Sequence, residues 1–333
     1  SDLTQGPLAA NAEYNRIAFY LQDTYELDTG FTFQPGIRFS SIQADLKEYY
    51  GENDDSTTLQ NPEKKSYEEL IGSLRVSKQI NDDFFAFGGI SQGFRPPSLY
   101  DLTSTDETSA IERPNTKLEP EKFHQAEIGL RSFAGPLRFT TSFYHTWIKD
   151  MIVRSPVESG QSNTLKSNGD GYLQGIELEV AYDWTPSWNS TLSFSWMDGE
   201  VEQLLDNNSS GTVAIEGRNY TPVDRATTRL MPTQTQLITR YRPDGSPWMG
   251  ELSILAVGEA DKLSLKDETD KSRIPVNGTP DYILVGLMGA YEWNESSSIS
   301  LAIENIGDID YRVHGSGVNG PGRNFVLTYS QNF

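Results

Sequence analysis

Gly175-Ile176-Glu177-Leu178-Glu179-Val180-Ala181-Tyr182-Asp183-Trp184-Thr185-Pro186-Ser187-Trp188 decides how this chain is read. Apolar and polar residues alternate, then a Thr-Pro-Ser turn falls between two tryptophans. A period of two puts Ile176, Leu178, Val180 and Tyr182 on one face of a strand and Glu177, Glu179 and Asp183 on the other. Three carboxylates are wasted on a dry core but suit a water-filled interior.

The same grammar runs outward in both directions. Segments 15–27, 31–45, 66–80, 84–94, 121–133, 137–153, 171–184, 188–200, 233–242, 248–259, 281–293, 298–306 and 323–333 read as thirteen strands. Six connections are short turns, such as Asp28-Thr29-Gly30 and Ala134-Gly135-Pro136. Six others, near 46–65, 95–120, 154–170, 201–232, 260–280 and 307–322, read as long and structureless. A compact soluble domain rarely carries so many long loops. An outer-membrane barrel has short turns at one end and long loops at the other by construction. Tyr25, Phe31, Phe84, Phe133, Trp184, Trp188, Tyr241, Trp248 and Trp293 all stand beside short turns. A soluble sandwich, the competing reading, would spread its aromatics through the core, whereas a barrel gathers them in a belt at the membrane interface. The expected fold is therefore all-β, an antiparallel transmembrane β-barrel.

Composition agrees. Hydrophobic residues make up only 36% of the 333 residues while aromatics reach 11%, as expected if only one face of each strand is apolar. A net charge of −20, from 27 basic and 47 acidic residues, argues against a nucleic-acid partner. With no cysteine there is no disulfide framework and no thiolate site. No apolar run is long enough for a membrane-crossing helix, and Ser1-Asp2-Leu3-Thr4 has no signal-peptide character.

Several stretches resemble the TonB-dependent outer-membrane receptors. Gly93-Phe94-Arg95-Pro96-Pro97-Ser98-Leu99-Tyr100-Asp101-Leu102 is similar to their "FRAP" signature, and Pro114-Asn115-Thr116-Lys117-Leu118-Glu119-Pro120-Glu121-Lys122 to "NPxLxPEK". Ala126-Glu127-Ile128-Gly129-Leu130-Arg131 resembles the "YELGLR" strand, and Asn168 to Glu179 the strand ending in G-(I/V)-E-x-E. Ile303-Glu304-Asn305-Ile306-Gly307-Asp308-Ile309-Asp310-Tyr311 looks like the motif before the last strand, and Phe333 like the aromatic terminus that the assembly machinery reads.

The resemblance implies a barrel of about 22 strands plugged by an N-terminal globular domain. Thirteen strands over 13–333 would then be its C-terminal part, with the plug, the TonB box and the first strands outside this sequence. An open sheet would leave unpaired backbone in lipid, so those strands must come from elsewhere. Strand parity puts residues 1–12 in an extracellular loop; either the receptor is divided there, with the N-terminal part held as a separate polypeptide, or this sequence is a piece of one longer chain. The resemblance further implies a Gram-negative outer membrane with its bilayer and lipopolysaccharide, and coupling to the TonB-ExbB-ExbD complex.

No catalytic constellation emerges, and no resident cofactor or metal is expected. Carboxylate pairs such as Glu177/Glu179 and Glu119/Glu121 read as lumen-facing, not as acid–base pairs. Asp54-Asp55 and Lys266-Asp267-Glu268-Thr269-Asp270 read as solvated acidic loops, with calcium the alternative. Aromatic and basic residues of the long loops are the candidates for ligand contact: Tyr100, Arg113, Tyr220, Arg225, Arg273 and His314. Bracing of loop against loop is the competing role for each. Family members that import haem carry a His between the two motifs here reading Phe94–Pro97 and Pro114–Leu118; residues 98–113 have none, which leaves His314 as the candidate axial ligand. The function implied is active import of a nutrient chelate, foremost a ferric siderophore, with haem, cobalamin or oligosaccharide as other cargoes. A passive outer-membrane pore is the alternative from another class.

Overall fold

A computed structural model describes residues 9, 11–49, 60–104, 111–112, 114–156, 163–206, 211–215 and 218–332. Apart from two five-residue helices, its regular structure is strand. The strands are β1 (Asn11–Gln22), β2 (Tyr25–Glu26), β3 (Phe31–Glu48), β4 (Glu63–Gln79), β5 (Phe84–Arg95), β6 (Ile111–Glu112), β7 (Glu121–Ala134), β8 (Leu137–Pro156) and β9 (Asn163–Thr185). They continue with β10 (Trp188–Asp206), β11 (Val213–Ile215), β12 (Arg218–Ala226), β13 (Gln234–Tyr241), β14 (Trp248–Val257), β15 (Tyr282–Asn294), β16 (Ser297–Glu304) and β17 (Asn324–Gln331).

The long strands pair antiparallel with their neighbours, and only the two-residue β6 pairs parallel, with β9, among the described residues. β2 continues β1, with both pairing to β3. β12 and β13 pair in turn with the two halves of β10 and so make one stave. β6 and β11 belong to the connections. Thirteen staves remain, the number the alternation predicts. β1 pairs only with β3 and β17 only with β16 among the described residues, so the sheet has two edges.

Register carries the argument about faces. Gly88, Ile128, Phe143, Ile176 and Trp196 stand in one cross-strand row. Leu237, Ile254 and Val285 form another, as do Leu287, Ile303 and Phe325. The opposite face carries Ser142–Glu177–Ser195 and Thr140–Glu179–Ser193–Gln236. One-residue slips would exchange the faces, so the pattern fixes the register. The apolar face is bare: Phe19 is 68%, Ile128 66% and Leu327 69% exposed. Such a continuous apolar surface does not survive in water and marks contact with lipid. No helix among the described residues is long and apolar enough to cross a membrane.

The aromatics form the expected belt at the short-turn end. Trp188 packs on Tyr241 at 5.2 Å, Trp248 on Tyr291 at 4.4 Å and Trp293 on Tyr329 at 5.8 Å between ring centroids. The short turns are built as their residues require. Gly30 takes a positive φ of 79°, and the Asn81 side chain accepts from the amides of Asp83 and Phe84.

Among the described residues, the buried apolar clusters lie at the long-loop end, where connections fold back over the sheet. There the structure corrects the expectation of structureless loops. The connection after β5 contains α1 (Leu99–Thr103) and β6, that after β14 contains α2 (Leu265–Thr269), and 201–232 holds the end of β10, β11 and β12. β8 and β9 also pair well beyond their expected ends, past a bulge between Ile148 and Met151 at which Asp150 takes a φ of 57°. Beyond the bulge Lys166, Ser167, Asn168 and Asp170 are polar on both faces, so pairing continues without alternation. β1 starts at Asn11, two residues inside the segment expected to be loop. Asp54, Asp55, Arg113 and Phe333 lie outside the described residues.

Candidate functional site

The long-loop end holds two polar assemblies. The first is built from the motif residues. β5 stops at Arg95 because Pro96 and Pro97 cannot donate to a ladder. Ser98 then caps α1: its hydroxyl accepts from the amide of Asp101, and the Asp101 carboxylate accepts from the amide and hydroxyl of Ser98. Burial opposes ionisation of Asp101, but those bonds and the Arg95 charge outweigh it and hold the carboxyl below its ordinary value. Arg95 forks onto both carboxylate oxygens of Glu121, the first residue of β7, with 2.7 Å from Nη2 to Oε1, and donates from Nη1 to Asp101 at 3.0 Å. Glu121 also accepts from the Ile152 amide at 2.9 Å.

These bonds press the excursion between β5 and β7 onto the polar-face side of the neighbouring strands. Leu102 and Leu118 are buried against Ala44, Leu46 and Tyr49. Tyr14 donates from its hydroxyl to the Pro97 carbonyl, and the Ala9 amide to Thr103. Asn168 accepts from the Glu119 amide and donates to its carbonyl, 2.8 and 2.9 Å, which locks this excursion to β9. Lys166 is fully buried there. Its ammonium bonds the Tyr100 carbonyl at 3.0 Å and the Ser104 hydroxyl, and sits 4.9 Å from the Tyr100 ring centroid.

The second assembly joins three later connections. Arg229, at a φ of 60°, donates from its amide to Asp267 at 2.9 Å and from Nη2 to Asp270 at 2.5 Å. Ser264 caps α2 and bonds Asp267. Asp270 is held below its ordinary value: burial pushes it up, but the Ser272 hydroxyl and the guanidinium groups of Arg229 and Arg273 prevail. His314 lies within 2.9 Å of the Thr279 hydroxyl through Nδ1. Burial holds its imidazole below the usual value, with Asp267 pulling upward and Arg229 downward.

The candidate ligand residues divide among these settings. Tyr100 is committed to Lys166 and lies under the Arg154 guanidinium at 5.2 Å. Tyr220 is buried against Leu204. Arg225 is exposed and stands opposite Val201 on the polar face. Arg273 is exposed and pairs with Asp270 at 3.3 Å; His314 is buried in the same assembly. Arg273 and His314 are thus brought into one assembly, which Tyr100, Tyr220 and Arg225 do not join. The acidic run 266–270, expected as a solvated loop or a calcium site, instead packs Asp267 and Asp270 against Arg229, and no group of metal-ligating side chains forms among the described residues. Sequence reasoning missed Lys166 and Arg229. Neither sits in a periodic pattern, and their partners lie 62 and 38 residues away.

Below the mouth, the polar face forms a trough of about 490 Å³ whose lining includes Glu177, Glu179, Ser193, Gln234 and Gln236. On the same face, nearer the short turns, Arg138 of β8 pairs with Asp183 of the adjacent β9 at 2.6 and 3.1 Å. The arrangement offers a polar binding surface, with no nucleophile–base pair among the described residues.

Comparison with known proteins places this architecture. The pesticin receptor of Yersinia pestis is 27% identical over 178 residues, covering 52% of this chain and 24% of that protein. Among solved structures, the copper transporter OprC superposes with a TM-score of 0.77 at 20% identity, covering 97% of this chain and 48% of that one. The ferric yersiniabactin uptake receptor FyuA from Yersinia pestis superposes at 0.64 with 18% identity, covering 96% and 44%. The chain therefore spans about a quarter of the curated relative and less than half of each structure. The family model described as "TonB dependent receptor-like, beta-barrel" matches residues 3–306, so the chain belongs to that family of outer-membrane transport receptors, which are not enzymes.

Proposed function

We propose that this chain supplies the C-terminal thirteen staves of a TonB-coupled receptor that binds a nutrient metal chelate, a ferric siderophore foremost, at its outer mouth and imports it. The unbroken apolar row on one face and the polar, carboxylate-lined trough on the other carry this reading, because together they describe a hydrated passage through lipid. About nine further strands and a plug, from the same receptor and as a second polypeptide if it is divided, close the edges at β1 and β17. Residues 1–12 then lead in from an outer loop, and residues 13–333 belong to the barrel.

Cargo recognition falls to the exposed guanidinium groups of Arg225 and Arg273, which suit the carboxylate or phenolate oxygens of an iron chelate. Tyr100, Arg113, Tyr220 and His314 complete the proposed set, with Tyr100, Tyr220 and His314 shaping the mouth from within. The uptake of ferric yersiniabactin by one structural neighbour supports the same cargo class here. TonB, energised through ExbB-ExbD, would act on the plug from the periplasmic side.

The test is uptake of radiolabelled iron by the full-length receptor in a Gram-negative host stripped of its own receptors, over a panel of ferric siderophores. Import that vanishes on deleting tonB or collapsing the proton gradient supports the proposal. Import that persists identifies a passive pore. Import of haem, cobalamin or oligosaccharide alone overturns the cargo.

A further inference from the structure

The lipid-facing side dips between β13 and β16. Tyr241, Gly250, Gly289 and Leu301 form one cross-strand row, so two adjacent positions of it lack side chains between large flanking ones. The result is a groove of about 710 Å³, lined almost wholly by apolar atoms. That volume lies within the range of about 300–1,000 Å³ common to ligand clefts. Trp248 and Tyr291 close it toward the short turns, Trp188 and Tyr241 flank it, and Leu252 and Leu287 bound its other end.

Glycine weakens a strand, and is usually kept for a positive φ or a close backbone approach. Neither reason applies here. Gly250 and Gly289 have no positive φ, and a Cβ built on either meets nothing within 4 Å. Other glycines of the sheet are crowded: a Cβ on Gly129 would lie 2.5 Å from the Thr141 carbonyl, and one on Gly171 2.1 Å from that of Glu200. What the pair supplies is the empty space.

We propose that this groove seats one acyl chain of a diacyl phospholipid from the periplasmic leaflet. It is continuous with the apolar face that meets lipid, it opens at the depth of the aromatic belt, and its floor is backbone already satisfied by ladder bonds. The inference rests on the membrane placement and is independent of the cargo.

Native mass spectrometry of the full-length receptor, after extensive detergent exchange in the presence of phosphatidylethanolamine, tests it. The wild type should retain one phospholipid that Gly250→Leu/Gly289→Leu loses by about tenfold in occupancy, because leucine fills open space. Gly72→Leu, on the same lipid-facing side opposite Ile37 and outside the groove, should leave retention unchanged. Equal retention in all three overturns the proposal, as does a photo-crosslinker at Trp248 that captures a protein in place of lipid. Iron uptake measured on the same variants should not change, so a failed transport reading is distinguishable from a failed lipid site.

Discussion

Removing the Arg95 guanidinium should release the excursion between β5 and β7. In Arg95→Ala the Glu121 carboxylate, whose side chain is only 5% exposed, stays beneath that excursion with the Ile152 amide as its one remaining partner among the described residues. Stranding a buried charge costs about 3–5 kcal/mol. Two features reduce this: the Arg95 side chain is itself 46% exposed, so part of its attraction is already screened, and the Ile152 bond survives. We take about 2–3 kcal/mol. Lifting the excursion rehydrates Glu121, so the cost appears as easier local opening, equal to about 30- to 150-fold faster exchange. Hydrogen exchange at the Leu102 and Ser104 amides, which bond the carbonyls of Ser98 and Tyr100, reads it. Glu121→Gln keeps an acceptor for Ile152 and should cost only about 1 kcal/mol. The double variant Arg95→Ala/Glu121→Gln should open less readily than Arg95→Ala alone, because the stranded charge is gone. Exchange within threefold of wild type in Arg95→Ala, or a double variant worse than the single, would refute the reasoning.

Three further outcomes follow from the same coordinates. Because burial depresses the His314 pKa, the folded outer assembly binds its proton less readily than the open one; its stability is full at neutral pH and falls as pH drops through about 6.5 and below. Proteolysis of the loop 305–323 should therefore accelerate on acidification, and His314→Gln should flatten that dependence. Gly171→Ala should impair assembly, since its Cβ meets the Glu200 carbonyl at 2.1 Å, whereas Gly289→Ala should assemble as wild type; heat-modifiable migration on gels distinguishes them. Leu252→Arg, on the lipid-facing side, should cost about 2–4 kcal/mol in unfolding from vesicles, while Ser253→Arg on the lumen side should be tolerated.

The staves and the belt were legible because both rest on local regularities. Alternation from Gly175 to Asp183 and the tryptophans beside the 185–187 turn each state a face or a depth in a few residues. What the alternation does not reach is the water-exposed part beyond the lipid. Past the Asp150 bulge β8 and β9 stay paired without apolar–polar alternation, and α1 and α2 are too short for a helical period. The mouth was the least legible. His314 read as a ligand group and the 266–270 acids as a solvated loop with calcium the alternative, yet the geometry of both depends on partners in other connections, Thr279 for His314 and Arg229 for the acids. Tyr100 was singled out for its ring, and the structure engages both its carbonyl and its ring with Lys166.

The central claim is that each stave shows one face to lipid and the other to a hydrated lumen. The chain contains no cysteine, so spin labels can be placed at will. Labels at successive positions of β14, from Met249 to Ala256, in the receptor reconstituted into vesicles, report collision with oxygen and with a water-soluble nickel chelate. Oxygen accessibility should peak at Gly250, Leu252, Ile254 and Ala256, and nickel accessibility at the positions between. Loss of the two-residue period, or the opposite phase, would contradict the account.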